Sequence, residues 1–351
     1  MDLNLSNKAN FYFVCTNYSS TKDGIGHYTS KIVKELKKDK LLNVYVYSAD
    51  TYNLSKLYLF FSLKMTIVLF KVMRLTLCSK EKNFILLEYP FVEYNPIFFL
   101  ALTLLKILKH KNTKIVISLH EYSRTKKLRK LFIELLLPFS DIVLFTKEID
   151  VELFVNKNIY FKKRIIPTNI EPQTKFVPLY DEKNINICFF GIINFETKEI
   201  DNMIKAWNVY SNETTKIKFH VISSSFDSSI KNNLSINYHY NLDDIEVSKL
   251  LFNMQFMMLP LKPEISMNNA SLMAGCIHKC IPVGVFDLNF FDNNFGIFMQ
   301  NYSIKEFINA FKLINNFNTP NFDEKRDLAF SFGAKHSIAK SASSYKELIY
   351  I

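Results

Sequence analysis

The chain has 351 residues, of which 48% are hydrophobic, and it contains 33 Phe and 18 Tyr. This composition excludes a disordered chain, and the length favours two domains because single cores rarely grow beyond about 250–300 residues. The 44 Lys and Arg against 33 Asp and Glu give a formal net charge of +11, which favours anionic partners such as phosphate esters, nucleic acid or an acidic membrane surface. A Lys-rich composition without such a partner is the alternative.

The cysteines and the N-terminus favour an intracellular protein. The five cysteines are odd in number and lie scattered through apolar stretches, which is typical of reduced thiols rather than of a disulfide framework. The stretch MDLNLSNKANFYFVC lacks the basic region and the long apolar region of a signal peptide. We therefore expect a cytoplasmic location.

The first half of the chain alternates short apolar runs with helical patterns. The runs predict strands at 11–16, 43–48, 84–90, 114–120 and 141–146. Apolar residues at helical spacing predict helices near 26–38, 58–78, 95–110 and 125–137. This alternation predicts a parallel, doubly wound sheet.

A glycine pair lies between the first strand and the first helix, in STKDGIGHYT. The whole chain has only seven glycines, so Gly24 and Gly26 suggest a close approach to the backbone. A glycine turn before a helix lets an anion reach backbone N–H groups and the positive helix end. Thr29 stands where the third glycine of a dinucleotide fingerprint would be, and a P-loop pattern is also missing. A tight turn without a ligand is the alternative.

Two apolar segments, 57–78 and 95–111, are interrupted by lysines or arginine. Neither offers the roughly 18 uncharged residues that a membrane span requires. Lys64, Lys71 and Arg74 fall on one side of a predicted helix that is otherwise apolar, which is typical of a helix lying in a membrane interface. A buried helix with solvated lysines is the alternative.

A Pro-rich stretch over 165–183 indicates a linker. The alternation then resumes, with strands predicted at 184–191, 217–223, 236–240, 256–261 and 281–286. Helices are predicted near 200–210, 243–253 and 269–279, and a final helical stretch ends the chain. We expect two α/β domains facing a cleft, with ligands at the carboxyl ends of the strands. The predicted divisions are an N-terminal domain over 1–170, a linker over 171–183, a C-terminal domain over 184–322 and a helical segment over 323–351.

Four stretches, in the same order, resemble glycosyltransferase family 4, whose members have the GT-B fold. They are GIGHYTSKIVKEL, ISLHEYS, FFGIINFETKEIDNMIKAW and HYNLDDIEVSKLLFNMQFMMLPLKPEISMNNASLMAG. The resemblance covers the chain from about Phe11 to Pro282. It implies two Rossmann-like doubly wound domains facing a cleft, with the acceptor side in 1–170 and the nucleotide-sugar-binding side in 184–322. The implied donor is a nucleotide-diphosphate sugar.

The chain also departs from the family pattern. The family's second glutamate, which binds the nucleotide ribose, falls near Ala274 or Gly275, so that carboxylate is absent. Glu199 replaces the glycine after the family's lysine, and the arginine before that lysine has no counterpart. These departures leave the donor open and make a weakly active protein an alternative.

A nucleotide-sugar donor has a diphosphate leaving group, whose developing charge needs cations and oriented N–H donors. Lys198 would supply the charge, and Ser271 at the start of a helix would hold the phosphate. A solvated lysine and an ordinary helix cap are the alternatives. The residues predicted to bind the donor are Gly24, Gly26, Lys198, Glu264, Ser266, Asn269, Ala270, Ser271 and Leu272.

His120 and Lys198 are the predicted catalytic residues. His120 ends a strand, so it would hold a sugar hydroxyl or the transferred group, and Glu264 would accept hydrogen bonds from sugar hydroxyls. An Asp-x-Asp run is missing, so we expect no metal and no cofactor besides the nucleotide sugar as co-substrate. Cys276 and Cys280 in CIHKC are expected to belong to the core rather than to a metal site.

The resemblance implies a retaining, hexosyltransferase-like enzyme that transfers sugar to a saccharide acceptor in cell-surface polysaccharide assembly, such as lipopolysaccharide or capsule. We expect a lipid-linked acceptor, no nucleic acid partner, and a peripheral position on the inner face of the cell membrane. The N-terminal domain would touch that membrane through Lys64, Lys71, Arg74, Lys106, Lys109, Lys111 and Lys114. The alternatives are a non-catalytic GT-B-like protein that binds a membrane or partner enzymes, and a GT-B epimerase acting on the nucleotide sugar.

Overall fold

The computed structural model describes residues 8–18, 24–49, 63–89, 96–119, 127–145, 159–172, 184–267, 269–288, 291, 295–317 and 319–351. The chain divides into two compact units. Unit 1 comprises Met1–Ile165 and Ile338–Ile351, and unit 2 comprises Ile166–Ser337. Each unit contains a six-stranded parallel sheet with helices packed on both faces.

Unit 1 has the strand order β2-β1-β3-β4-β5-β6. Its strands are β1 (Ala9–Thr16), β2 (Leu42–Ala49), β3 (Lys82–Tyr89), β4 (Thr113–Leu119), β5 (Ile142–Phe145) and β6 (Tyr160–Lys163). Its first helices are α1 (Gly24–Leu36), α2 (Lys64–Cys78), α3 (Pro96–Leu108) and α4 (Lys127–Leu136). A short 3-10 turn follows α4 at Leu137–Phe139.

Successive residues of the central strands pack on opposite faces of the sheet. Tyr12 and Val14 pack in one apolar cluster with α2, α3 and α4. Phe11 and Phe13 pack in a second cluster, with α1. Because both faces are covered, every residue of β1 is buried, which accounts for the nearly continuous apolar run in its sequence.

Unit 2 has the strand order β12-β11-β10-β7-β8-β9. Its strands are β7 (Ile185–Phe190), β8 (Ile217–Ser223), β9 (Ile236–Tyr240), β10 (Phe256–Met258), β11 (Ile281–Gly284) and β12 (Ile297–Phe298). Its helices are α5 (Ile200–Tyr210), α6 (Ser228–Lys231), α7 (Asp244–Phe252), α8 (Ala270–Ile277), α9 (Ile304–Asn315) and α10 (Thr319–Ala334). The strand order reverses between β7 and β10, and open parallel sheets bind their ligands at such a switch point.

The C-terminal helices are divided between the units. In unit 2, α10 packs tightly on α8, since a Cβ on Gly333 would lie 2.4 Å from the backbone nitrogen of Ile277. The last helix, α11 (Ile338–Lys346), belongs to unit 1 and is followed by a 3-10 turn at Glu347–Tyr350. The segment predicted over 323–351 therefore contains elements of both units, and the units meet in sequence at 165 and 166.

A buried polar network attaches α11 to unit 1. Arg164 donates through Nη1 to the hydroxyls of Tyr28, at 2.8 Å, and Tyr345, at 3.1 Å. Tyr345 donates to a carboxylate oxygen of Glu88 at 3.2 Å, and Arg164 lies 3.9 Å from the other oxygen. Burial raises the pKa of the Tyr345 hydroxyl. The network therefore connects α1, β3, the segment after β6 and the C-terminal helix.

Among the helices that the structure describes, none is long and apolar enough to cross a membrane.

Candidate functional site

At the carboxyl end of β7, two polar side chains lie close to the backbone of one glycine. Gly191 directly follows β7 and has a φ of +135°, a conformation that side-chain-bearing residues rarely adopt. A Cβ at this position would lie 3.1 Å from Ser271 Oγ and 3.3 Å from Lys198 Nζ. Two predicted donor-binding side chains therefore converge on the Gly191 backbone at the switch point of unit 2.

Lys198 is held by a short antiparallel contact with the segment that follows β10. The backbones of Lys198 and Leu261 form an isolated antiparallel β-bridge, and Lys262 N donates to Thr197 O at 3.0 Å. The Lys198 ammonium donates to Ile192 O and lies 5.0 Å from the centre of the Phe189 ring. Burial lowers the pKa of this lysine to about 8. The group is therefore mostly cationic at neutral pH.

Helix α8 starts beside this lysine. Its N-cap is Asn269, whose side-chain oxygen accepts from Leu272 N at 2.7 Å. The Leu272 side chain is fully buried in the core, so only its backbone faces the cap. Ala270 and Ser271 form the first turn, where amide N–H groups have no acceptor within the helix. Such a helix start attracts anions.

Glu264 and Ser266 lie in the segment between β10 and α8. The intervening Ile265 is buried and bridges Phe286 next to β11. Ser266 is also buried, whereas Glu264 is half-buried. The charge of Glu264 contributes to the raised pKa of Tyr302, whose main cause is burial. A contact between Glu264 and a sugar stays a prediction.

The structure gives physical reasons for two departures from the family pattern. Glu199 forms an ion pair with Lys262 at 2.9 Å and accepts from Asn202 at 3.1 Å. Ala274 and Gly275 are both buried, and a Cβ on Gly275 would lie 2.6 Å from the sulfur of Met257 in β10. This side of α8 packs on the sheet, so a ribose-binding carboxylate would not fit there without repacking.

The remaining predicted residues belong to unit 1. Gly24 is the first residue of α1 and Gly26 the third. A Cβ on Gly26 would lie 2.1 Å from the carbonyl oxygen of Asn17, so a neighbouring carbonyl approaches this glycine closely. That contact explains Gly26 without a ligand, and donor binding there stays a prediction. His120 follows β4 in sequence but lies outside the described residues.

Within the described part of the chain, no group of three or more His, Cys, Asp or Glu could hold a metal ion. The histidine of the CIHKC stretch, His278, bonds to Ser248 Oγ at 2.8 Å and to Ala274 O at 2.7 Å. Burial lowers its pKa to about 4. It is therefore a neutral, hydrogen-bonded residue of the core.

No protein-family model and no curated protein matches the sequence. Solved structures do match the fold. A glycosyltransferase from Rickettsia africae matches with a TM-score of 0.67 at 10% identity, over 98% of this chain and 98% of that chain. A Listeria monocytogenes protein named as a UDP-N-acetylglucosamine 2-epimerase matches with a TM-score of 0.64 at 10% identity, over 98% and 97%.

The Escherichia coli trehalose-6-phosphate protein, solved with UDP-2-fluoro glucose bound, matches with a TM-score of 0.61 at 11% identity, over 97% of this chain and 98% of that chain. The chain also spans 58% of the length of TarM, a longer protein. These likenesses confirm the predicted fold: the chain has the two-domain α/β architecture of GT-B glycosyltransferases. Membership of family 4 in particular stays a prediction.

Proposed function

We propose that the protein is a glycosyltransferase that moves a sugar from a nucleotide-diphosphate donor to a saccharide acceptor. The observation that carries the proposal is the convergence of Lys198 Nζ and Ser271 Oγ on Gly191, at the switch point and beside the start of α8. A cation, a hydroxyl and a helix N-terminus together suit a diphosphate. The GT-B fold of the chain agrees with this use of the site.

The site would stabilise the leaving diphosphate. When the bond between sugar and phosphate breaks, negative charge grows on the phosphate oxygens, and preorganised donors stabilise that charge most. Lys198 would release Ile192 O and turn its ammonium to the diphosphate, while Ser271 and the α8 amides donate to the other oxygens. Removing one such donor typically slows a reaction by about 10²–10³-fold.

We propose that His120 and Glu264 act on the sugar side, His120 by holding the transferred group and Glu264 by accepting hydrogen bonds from hydroxyls. Gly24 and Gly26 would let the donor approach the backbone of unit 1. Transfer would retain the anomeric configuration, which proton NMR of the product would reveal. His120→Ala should cripple transfer and leave nucleotide binding nearly intact, and an equal loss of both would make His120 a structural residue.

Uridine diphosphate is the nucleotide that we propose to test first. The E. coli structure contains UDP-2-fluoro glucose, and the Listeria protein is named for a UDP-sugar. The missing ribose carboxylate leaves other nucleotides in competition, so a thermal-shift screen should also include GDP. A bound nucleotide at about 100 times its dissociation constant stabilises a protein by roughly 2.7 kcal/mol.

For the acceptor, we propose a lipid-linked saccharide in cell-surface polysaccharide assembly, with the protein peripheral to the inner face of the cell membrane. The net charge of +11 supports an anionic surface as partner. Neither metal nor other cofactor enters this proposal, because Lys198 and the helix start would supply the positive charge.

A second candidate is a nucleotide-sugar epimerase. The match to the Listeria protein spans almost the full length of both chains, so an epimerase of this size and fold is a direct competitor. An epimerase converts the donor into an isomer without an acceptor, whereas a transferase releases UDP when an acceptor is present.

The two candidates are separated by incubating the protein with UDP-sugars, with and without membrane extract as acceptor source. The proposal expects UDP release that depends on extract and that falls at least about 100-fold in Lys198→Ala. Lys205→Ala, on the exposed side of α5 where the lysine pairs with Asp201, is the matched control and should keep full activity. A C2 epimer formed without extract would favour the epimerase, and equal rates for both variants would remove Lys198 from the site.

A further inference from the structure

Three helices of unit 1 expose large apolar side chains on their outer surfaces. Ile67 in α2 is 61% exposed, and Leu100 and Ile107 in α3 are 58% and 71% exposed. Phe70, Leu75 and Leu131 are also exposed. We call the outer surface of α2, α3 and α4 the three-helix face.

These helices form one layer against the sheet. Leu69 of α2, Leu102 of α3 and Ile133 of α4 all enter the same buried cluster. Phe99 and Phe132 connect α3 to α4, with ring centres 6.2 Å apart. The buried residues of the three helices therefore form part of the core, and their exposed residues lie on the same side of unit 1. Many large apolar side chains exposed on one side of a folded unit favour an interaction site.

The three helices of this face are also rich in basic residues. The sequences of α2, α3 and α4 contain seven Lys or Arg and one acidic residue, Glu134. On α2 the basic Lys64, Lys71 and Arg74 are exposed along the same stripe as Ile67. Apolar and basic side chains interleaved on one helix surface suit the interface of an anionic bilayer.

Two of the lysines expected from the sequence to touch the membrane have another partner. Lys106 lies 2.7 Å from one carboxylate oxygen of Asp141, and Lys109 lies 3.0 Å from the other. The hydrogen bond that Asp141 accepts from Ile115 N and these two lysine contacts keep its pKa below the usual range despite its burial. Lys106 and Lys109 are therefore engaged within unit 1, whereas the basic side chains of α2 are exposed.

We infer that the three-helix face binds the surface of an anionic lipid bilayer, with its apolar side chains entering the interface and its basic side chains at the lipid phosphates. A second copy of the chain is the weaker occupant, because two such basic faces would repel each other. This inference rests on the membrane position proposed above and names the surface that would provide it, and it can fail or succeed independently of the proposed reaction.

The test is co-sedimentation of the full chain with vesicles of phosphatidylcholine, with or without phosphatidylglycerol at about one lipid in three. The inference expects binding to the anionic vesicles that weakens as salt is added. Each basic residue near an anionic surface contributes about 1 kcal/mol, so replacing Lys64, Lys71 and Arg74 by glutamate should weaken the partition coefficient by at least about 100-fold. Replacing Ile67, Leu100 and Ile107 by serine should weaken it at least about tenfold.

Two control variants in unit 2 match these changes. Replacing Lys218, Lys231 and Lys305 by glutamate changes the net charge equally, and replacing Leu234, Ile245 and Leu313 by serine removes equally exposed apolar groups. Both controls should bind less than about threefold more weakly than the parent. Circular dichroism of every variant separates lost binding from lost fold.

Three outcomes would overturn the inference. The first is failure of the parent chain to bind anionic vesicles at low salt. The second is equal weakening of binding by the control and test variants. The third is a concentration-dependent dimer that the serine variant of the three-helix face abolishes, since it would assign the face to a second copy. UDP binding, measured without lipid, reports the proposed function separately.

Discussion

If Lys198 holds the diphosphate as proposed, UDP binding should depend on pH. Its ammonium lies over Phe189 and bonds to a backbone carbonyl, and its burial lowers the pKa to about 8. As the pH rises through that value, the free protein loses the proton and with it the charge that attracts phosphate. A terminal phosphate has its second pKa near about 6, so the ligand keeps a constant charge above neutrality.

The size of the effect follows from the protonated fraction. With a pKa of about 8, the protonated fraction falls about tenfold between about pH 7 and about pH 9. The dissociation constant for UDP should therefore rise about tenfold over that range, with proton uptake on binding at the upper end. Lys198→Met should bind UDP more weakly at neutral pH and vary less than about twofold across the same range.

Isothermal titration calorimetry in buffers of different ionisation enthalpy would measure both the affinity and the proton uptake. Lys205→Met, which removes an exposed lysine of α5, should keep the parent's profile. A parent whose affinity does not change over this range, or a Lys198→Met variant with the parent's profile, would refute the assignment of this lysine to the diphosphate.

Gly191→Ala places a Cβ at a φ of +135° and 3.3 Å from the Lys198 ammonium. It should weaken UDP binding more than tenfold and lower the unfolding free energy by about 1–3 kcal/mol. An unchanged affinity for UDP in calorimetry would contradict this prediction. Glu88→Ala leaves Arg164 buried without its carboxylate and should lower the unfolding free energy by about 3–5 kcal/mol. In urea titrations, Asp201→Ala, which removes an exposed carboxylate, should lower the unfolding free energy by less than about 1 kcal/mol. Equal losses for Glu88→Ala and Asp201→Ala would show that the buried network around Arg164 does not stabilise the protein. Turnover should survive millimolar EDTA, whereas a loss restored by magnesium or manganese would establish a metal requirement.

The fold could be predicted largely from the sequence because parallel strands covered on both faces are apolar throughout. The run FYFVCT lies within β1, and IKFHVIS and INYHY match β8 and β9 residue for residue. The strands β6 and β12 were missed because they are short, and β6 has a polar YFKK sequence at the sheet edge. Helix α9 was missed although Ser303 caps it and its buried residues recur at helical spacing.

The site was predictable in its residue types and not in its geometry. Family resemblance pointed to Lys198 and Ser271, but their convergence depends on the turn after β7, where Gly191 has a positive φ. The low glycine count could have drawn attention to that position, as it did to Gly26. A backbone carbonyl approaches Gly26 closely, a contact that local sequence does not encode, and donor binding at Gly26 stays a prediction.

A crystal structure of the protein soaked with UDP would locate the diphosphate. We expect it to lie against the Gly191 backbone, with Lys198 Nζ turned from Ile192 O to a phosphate oxygen and with Ser271 and the first amides of α8 as donors. Diphosphate density elsewhere in the protein, with Lys198 still bonded to Ile192 O, would contradict it.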